Sequence, residues 1–334
     1  MKIVDINYYL YNQSFRVPIT TPKVHLTSRK ALIIEMITSQ GKSFFGECNA
    51  FESDWYDSET INSVQKVIEA WSSSIKNKEF STFDAWLPYL NQLNAAPAAR
   101  ATVVMAVFQM YQTLPIINVD YGATVSGLTE AHFVQLKETQ PKRIKIKWSN
   151  HILKDLAHMN KQLDFEYQLV IDANESLTKE DLPKLALVKQ YHPIYIEEPF
   201  KTMDLYKNYN HNLFPPVAID EKATSVQQIL TLCHSYNIQV VVIKPFRMGG
   251  IDHVIKLIHK LQRDNISVII GGMYEYGLSR YFTAYLAQFG DYPGDITPSG
   301  YYYDHDLVSQ SGILKQRRIS FSPPEVDTSQ LVMF

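Results

Sequence analysis

Five ionisable residues recur at a nearly constant interval from residue 147 onward. They are Lys147, Asp172, Glu197, Asp220 and Lys244, at steps of 25, 25, 23 and 24 residues. Each follows a short run rich in β-branched residues, such as Val240-Val241-Val242-Ile243 before Lys244. The interval fits one strand, one helix and two short loops, because a (β/α)₈ barrel of ~200 to 250 residues allots ~25 to 31 residues to each unit. Since the chemistry of such barrels sits at the carboxyl ends of the strands, the pattern predicts five charged side chains in one mouth.

Two kinds of pattern divide the chain, whose 334 residues exceed the usual size of a single core. The first part combines antiparallel strands with two helices, whereas the later part alternates short apolar strands with amphipathic helices. We therefore expect an α/β fold, a (β/α)₇β TIM-like barrel with an N-terminal α+β capping domain. The expected bounds are 1–115 for the cap, 116–302 for the barrel and 303–334 for a C-terminal segment that returns to the cap.

The cap contains several predicted elements. Residues 2–11, 31–38 and 43–48 predict an antiparallel meander, with a turn at 39–42. Residues 14–30, which contain Pro18 and Pro22, predict an irregular loop that could act as a lid. Ser58 is expected to open an amphipathic helix, and residues 96–114 predict a buried helix with Pro97 in its first turn.

Composition argues against several classes of protein. Charged residues make up 20% of the chain, the net charge is −2 and no basic stripe alternates with aromatic residues, so we expect no nucleic-acid partner. No apolar run reaches the about 18 residues of a membrane helix, and Asp5 and Asn7 interrupt the start where a signal peptide is apolar. We expect a cytoplasmic protein with no membrane partner. The distant Cys48 and Cys233 predict two buried thiols, without a disulfide or zinc site.

Asp172, Glu197 and Asp220 place hard oxygen donors on three consecutive strand ends. Three carboxylates within ligand distance would have to take up protons or separate unless a cation lay between them. Mg²⁺ suits such a set, because it binds carboxylate oxygens and leaves octahedral positions for water and substrate. The sequence therefore predicts a magnesium site at these residues.

Lys145 and Lys147 lie two residues apart on one strand, so their side chains share a face. Each ammonium would destabilise the other, and partial burial would add to this, lowering a pKa from about 10.4 toward the range where a neutral amine accepts a proton. We expect Lys147, nearer the mouth, to be the base and Lys145 to tune it. Lys244 ends an apolar run on a strand nearly opposite, where a charge must have a partner.

Together these groups suit the removal of a proton next to a carboxylate. Both oxygens of the substrate carboxylate could contact the metal, which would hold the extra negative charge of an enediolate. General base catalysis alone supplies about 10²- to 10⁴-fold. The metal and the second lysine would have to supply the larger share, so the expected partner is a small-molecule carboxylate substrate.

The chain resembles the enolase superfamily, in its muconate-lactonizing branch, over almost its whole length. The motifs that carry the resemblance are Lys145-x-Lys147, Asp172-Ala173-Asn174, Ile196-Glu197-Glu198-Pro199, Ile219-Asp220-Glu221, Ile243-Lys244-Pro245 and Gly271-Gly272-Met273-Tyr274-Glu275. Two further segments agree with that branch, Gly46-Glu47-Cys48-Asn49-Ala50-Phe51 and Tyr303-Asp304-His305-Asp306-Leu307. The resemblance implies a Mg²⁺-dependent lyase, with Mn²⁺ as a substitute, that dehydrates 2-succinyl-6-hydroxy-2,4-cyclohexadiene-1-carboxylate to 2-succinylbenzoate in menaquinone biosynthesis.

The same resemblance implies roles for individual residues. Lys147 would take the α-proton and then protonate the departing hydroxide, while Lys244 would stay cationic, and Asn174 and Glu198 would hold the site residues in place. Substrate contacts are expected from the cap loops and the seventh strand end, at Thr20, Lys23, Phe51, Gly272 and Met273. Glu275 could be a further site carboxylate or a first-turn acid of a helix that begins near Tyr276, and the second role is favoured. Homo-oligomerisation stays open.

Three alternatives remain. The same two lysines could racemise N-acylamino acids, delivering and removing the proton on opposite faces. Gly271-Gly272 could instead grip a phosphate, with Lys244 as a Schiff-base nucleophile of a metal-independent, aldolase-like enzyme. A non-catalytic binding barrel is the third alternative, and it is disfavoured because it has no use for five converging charges.

Overall fold

The computed structural model describes residues 1–21 and 23–334 of the chain. Its N-terminal part contains an antiparallel sheet in the order β14-β1-β2-β3. The strands of this sheet are β1 (Ile3–Thr20), β2 (His25–Thr38), β3 (Ser43–Glu47) and β14 (Val332–Met333). The predicted meander is therefore confirmed, and the last residues of the chain add a fourth strand beside β1.

The expected irregular loop over residues 14–30 is wrong. Strand β1 continues to Thr20 and β2 begins at His25, and these two residues pair across the hairpin. Pro18 does not prevent this, because it lies where the pairing register shifts between Ser14 and Ile19, a position that tolerates a missing N–H. The other proline of that prediction, Pro22, lies outside the described residues.

The described residues of the N-terminal part also form the α-helices α1 (Ile61–Ser72), α2 (Leu87–Leu90) and α3 (Pro97–Tyr111). Helix α1 begins three residues after the predicted Ser58, because the Thr60 hydroxyl accepts a hydrogen bond from the backbone N–H of Ser63 and caps the helix there. Helix α3 is buried on nearly all sides, as predicted. It contacts β3 of the cap and the later helix α9 (Ile251–Arg263), so it lies between the two parts of the molecule.

The second part is built on a parallel sheet whose seven strands, within the described residues, follow chain order. These strands are β5 (Gly122–Val125), β6 (Arg143–Lys147), β7 (Gln168–Asp172), β8 (Tyr195–Glu197), β9 (Val217–Ile219), β10 (Val240–Ile243) and β11 (Ser267–Ile270). The helices between and after them are α4 (Glu130–Thr139), α5 (Ile152–Gln162), α6 (Leu182–Val188), α7 (Asp204–Lys207), α8 (Val226–Tyr236), α9 and α10 (Gly277–Ala287). A parallel bridge joins Gly271 to Asp295 beyond β11.

This architecture is a TIM-barrel-like parallel sheet beside a separate antiparallel sheet. A complete (β/α)₇β barrel and domain boundaries at residues 115 and 302 stay predictions. A small third sheet has the order β12-β13-β4, formed by β12 (Ser311–Lys315), β13 (Arg318–Phe321) and β4 (Ile117–Asp120). Part of the C-terminal segment thus pairs with the start of the second part, and part pairs with β1.

Two further observations concern the cysteines and the length of the helices. Cys48 is buried and Cys233 half-buried, and both are free thiols. Among the described residues, no helix combines the length and the apolar character needed to cross a bilayer.

The packing of β3 on α3 generates a stability prediction. A Cβ at Gly46 would lie 2.0 Å from the backbone carbonyl oxygen of Thr102, which cannot move without displacing α3. We expect Gly46→Ala to lower the free energy of unfolding by about 3 kcal/mol, measured by urea unfolding. The control is Gly41→Asn, because that position has nothing within 4 Å and a left-handed φ that asparagine adopts. Equal effects of the two substitutions would contradict this packing.

Candidate active site

Strand register brings the predicted charged residues to one edge of the parallel sheet. Lys147 pairs in register with Asp172, and Asp172 pairs with Glu197. Asp220 follows β9 directly and Lys244 follows β10 directly. Along this edge, one lysine comes first, three acidic residues follow at the ends of consecutive strands, and a second lysine comes last.

Each of the three carboxylates has an ammonium partner. Lys147 Nζ lies 3.2 Å from Asp172 Oδ2, and Lys244 Nζ lies 2.9 Å from Asp220 Oδ2. Lys145 Nζ donates to both Glu197 oxygens, at 2.9 and 3.1 Å. Within the described residues, no three histidine, cysteine or acidic side chains converge closely enough to form a ready-made metal site. The ammonium groups hold the carboxylates instead.

The electrostatics of the carboxylates nevertheless fit a divalent cation. Burial raises the pKa of Glu197 to about 8; Lys145 opposes this, whereas the neighbouring Asp172, Asp295 and Asp220 add to it. Asp220 Oδ1 is buried without a hydrogen-bond partner among the described residues. Such an oxygen is costly to bury unpaired, and it is the type of donor that Mg²⁺ prefers.

The expected lowering of lysine pKa values by mutual repulsion is wrong for Lys145. Burial alone would lower its pKa, but Asp295, Glu197 and Asp172 outweigh burial and raise the pKa well above its ordinary value. Lys244 behaves in the same way: burial alone would lower its pKa, but Asp220, Tyr56 and Asp295 together outweigh burial and raise it. The expectation of a lowered pKa took account of repulsion between Lys145 and Lys147, but not of the carboxylates that surround Lys145.

The two outer lysines differ in exposure. The side chain of Lys147 is 42% exposed, whereas that of Lys244 is 5% exposed. Lys147 Nζ also donates to Asn174 Oδ1 at 2.5 Å, and Asn174 Nδ2 donates to Glu221 Oε1 at 3.2 Å. Lys147 is therefore an oriented amine within reach of solvent, and Lys244 is a buried cation.

Glu198 fixes the loop that carries Asp220. Its Oε2 accepts from the backbone N–H groups of Asp220 and Lys222, at 2.9 and 3.0 Å. Its Oε1 accepts from Lys222 Nζ at 2.7 Å and from the Tyr206 hydroxyl at 3.0 Å. These contacts fix the backbone around Asp220, so they are those of a supporting residue.

Asp295 is a residue of this cluster that the sequence patterns did not predict. Its Oδ2 accepts from Lys145 Nζ at 2.7 Å, and its Oδ1 accepts from Arg143 at 2.5 Å. Arg143 is fully buried, an unusual place for a charge unless it is paired. Asp295 could have been found by extending the interval, because it follows Gly271 by 24 residues.

Comparison with known proteins identifies the family to which the chain belongs. Residues 129–318 match the family described as "Enolase C-terminal domain-like". The chain belongs to this enolase-like family. It is 27% identical over 330 residues to an o-succinylbenzoate synthase from Bacillus subtilis (strain 168), covering 92% of this chain and 89% of that protein.

Other similar proteins carry different activities. An N-succinylamino acid racemase from Thermus thermophilus is 21% identical over 309 residues, which span 85% of this chain and 83% of that protein. A dipeptide epimerase from Enterococcus faecalis, solved with Mg and the dipeptide L-Leu-L-Tyr, superposes with a TM-score of 0.79 at 21% identity, covering 99% of each chain. The enolase-like fold is thus shared, whereas the reaction differs among relatives.

In this enolase-like chain, the residues expected to touch substrate fall into two groups. Phe51 is buried against the rings of Trp55, Tyr56 and Tyr274. Gly272 and Met273 line a cavity of about 70 Å³ together with Asp295. By contrast, Thr20 and Lys23 are exposed at the β1–β2 hairpin, where Thr20 contacts His25.

Glu275 differs from its expected role as a first-turn acid. Tyr276 caps α10, so Glu275 precedes the helix, and it is buried. Its Oε1 accepts from Asn49 of the cap at 3.1 Å and from the hydroxyls of Ser279 and Thr283 at 2.8 and 2.6 Å. Glu275 therefore fastens the loop after β11 to the N-terminal part.

The glycine pair after β11 makes room for charged groups. A Cβ at Gly271 would lie 2.7 Å from Lys244 Nζ, and one at Gly272 would lie 2.2 Å from Glu275 Oε2. These contacts account for both glycines without a phosphate ligand. Lys244 is ion-paired and buried, so its pKa direction disfavours the neutral amine that a Schiff base requires.

The contacts of Glu198 generate a second stability prediction. In Glu198→Gln an amide N–H₂ would face the Lys222 ammonium, so we expect the free energy of unfolding to fall by about 3 kcal/mol. Urea unfolding measures the change. Glu175→Gln is the matched control, because Glu175 also binds Lys222 Nζ, at 2.6 Å, but is 28% exposed against 0% for Glu198. An equal loss in the control would contradict the importance of the buried partner.

Proposed function

We propose that this enolase-like chain dehydrates 2-succinyl-6-hydroxy-2,4-cyclohexadiene-1-carboxylate to 2-succinylbenzoate, a step of menaquinone biosynthesis. The observation that carries the proposal is the order of groups along the sheet edge, where an accessible amine and a buried ammonium flank three carboxylates. The 27% identity to an o-succinylbenzoate synthase supports this choice of substrate.

The carboxylates Asp172, Glu197 and Asp220 would hold one Mg²⁺, for which Mn²⁺ could substitute. Their shared edge and the unpaired Asp220 Oδ1 support this assignment, as does the magnesium in the solved dipeptide epimerase. A bound Mg²⁺ would offset the negative charge that develops on the substrate carboxylate when the neighbouring carbon loses its proton.

Lys147 acts as the base in this proposal. Its half-exposed amine can release a proton to solvent and then accept the substrate proton, provided that substrate displaces its contact with Asp172. The protonated amine afterwards delivers that proton to the departing hydroxide. A single residue serves both steps, so the proton and the hydroxide leave from the same face. Asn174 keeps the amine oriented throughout.

Lys244 supplies a fixed positive charge on the other side. It is buried and paired with Asp220, which favours its charged form. A cation aimed at the site where negative charge develops stabilises the transition state more than the ground state. Gly271 leaves the space for this ammonium.

The cap and the loop after β11 would supply the remaining wall of the substrate site. Phe51, Gly272 and Met273 would contact the carboxylate substrate from the aromatic cluster and the loop after β11. Thr20 and Lys23 would have to reach the substrate from the hairpin. The cavity lined by Gly272 and Met273, whose wall also includes the Tyr274 ring that packs on Phe51, supports the first three contacts.

N-acylamino acid racemisation is the second candidate. The position of Lys147 and Lys244 on opposite flanks of the carboxylates would suit two-base exchange, and an N-succinylamino acid racemase is among the similar proteins. The unequal burial of the two lysines favours dehydration, because racemisation requires each of them to lose and gain a proton.

Removing either lysine tests the proposed roles of Lys147 as the base and Lys244 as a fixed positive charge. We expect Lys147→Ala to reduce dehydration by about 10²- to 10⁴-fold, as for loss of a general base, and Lys244→Ala to lower kcat comparably. Steady-state assays would use the cyclohexadiene substrate and an N-succinylamino acid in parallel. Lys142→Ala is the control, because Lys142 lies outside the strand on the same segment. Near-normal dehydration by Lys147→Ala, or wild-type racemisation much faster than dehydration, would contradict the proposal.

Asp220→Asn tests the metal assignment. We expect it to weaken Mg²⁺ binding by about tenfold or more, because an anionic ligand becomes neutral while Lys244 remains charged. Isothermal calorimetry on the metal-stripped protein measures the affinity. Asp264→Asn is the matched control, since Asp264 directly follows α9 and forms an exposed ion pair with Lys260. Unchanged affinity in Asp220→Asn would exclude Asp220 as a ligand.

A further inference from the structure

The barrel interior holds a continuous row of four alternating charges. Arg143 donates to Asp295 at 2.5 Å, Asp295 accepts from Lys145 at 2.7 Å, and Lys145 donates to Glu197 at 2.9 and 3.1 Å. The exposed fractions of the side chains are 0% for Arg143, 6% for Lys145, 2% for Glu197 and 15% for Asp295. Only Glu197 has a role in the metal site proposed above.

Lys145 competes with a metal ion for Glu197. Its ammonium lies within hydrogen-bond distance of both oxygens of that carboxylate. A cation bound at Glu197 takes at least one of those oxygens and repels the ammonium. A buried ammonium without a counterion is strongly destabilised by desolvation. The metal would therefore bind only weakly unless a second anion lay beside Lys145.

Asp295 is that second anion, and its position is fixed. Its backbone N–H donates to the Ile270 carbonyl at 3.0 Å and its carbonyl accepts from Gly272 at 3.1 Å, which ties it to the edge of β11. Arg143 holds its other carboxylate oxygen. Gly122 on β5 makes room for Arg143, because a Cβ there would lie 2.7 Å from the guanidinium.

We infer that Asp295 is a positioning residue that retains the Lys145 ammonium as an alternative counterion, so that Glu197 can turn an oxygen toward Mg²⁺. The inference rests on the proposed function, because it assumes that Glu197 is a metal ligand. In this account Lys145 remains charged throughout and passes from a bridge between two carboxylates to a pair with Asp295 alone.

A double-mutant cycle on Mg²⁺ affinity tests the inference. Four proteins are compared by calorimetry without substrate: wild type, Asp295→Asn, Lys145→Met and the double variant. We expect Asp295→Asn to weaken Mg²⁺ binding by about tenfold, because Lys145 then has only Glu197 as a partner. We expect Lys145→Met to change the affinity little when Asp295 is present and to recover most of the loss in the Asp295→Asn background.

The cycle distinguishes two explanations. In one, Asp295 acts by holding the Lys145 ammonium; in the other, the charge of Asp295 attracts Mg²⁺ independently of Lys145. If Asp295 acted only through its charge, Lys145→Met would change the affinity by the same factor in both backgrounds. Such additivity would overturn the inference, and so would an Asp295→Asn variant with wild-type affinity. A wild-type protein that binds no Mg²⁺ would overturn the proposed function itself, before the variants are compared.

Two further variants guard against a folding defect. Asp306→Asn removes the carboxylate partner of another buried arginine, Arg280, and we expect it to leave Mg²⁺ affinity unchanged. If Asp295→Asn does not fold, Arg143→Met/Asp295→Asn removes both members of the buried pair and avoids an orphaned guanidinium. That variant is also expected to bind Mg²⁺ about tenfold more weakly and to regain affinity when Lys145→Met is added. Wild-type affinity there would overturn the inference.

Discussion

Mutual repulsion among buried carboxylates is the constraint on which the rest of the site depends. Asp172, Glu197 and Asp220 share one sheet edge because consecutive parallel strands end there, and burial makes their charges expensive. Each is paired with a lysine, either from β6 or from the position directly after β10. The lysines therefore balance the charge of the carboxylates, and in the proposed reaction Lys147 and Lys244 also flank the substrate.

The N-terminal part is attached to the same region by another set of buried polar groups. Glu47 of β3 accepts from the backbone N–H groups of Tyr276 and Ser279, each at 2.8 Å, and so caps α10 from the N-terminal part. Burial raises the pKa of Glu47 to about 8, the hydrogen bond from Ser279 opposes this shift, and the nearby Glu275 adds to it. Together with the contact between Asn49 and Glu275, this capping connects the cap to the loop after β11.

Sequence periodicity predicted the sheet edge well because strand, helix and loops have nearly fixed lengths, so an interval near 25 residues returns the chain to the same edge. It failed where long-range partners decide the outcome. The hairpin around Pro18 forms because two polar segments pair through their backbones, and the raised pKa of Lys145 depends on Asp295, 150 residues away. Glu275 likewise became a bridge because Asn49, distant in sequence, lies beside it.

We propose that three carboxylates hold a metal while the Lys147 amine and the Lys244 ammonium lie on opposite sides of the reacting carbon. A crystal structure of the protein with Mg²⁺ and 2-succinylbenzoate tests it most directly. The account predicts one ion bound by Asp172, Glu197 and Asp220, with the amines of Lys147 and Lys244 on opposite faces of the carbon next to the bound carboxylate. An ion bound elsewhere, or both amines on one face, would contradict the account.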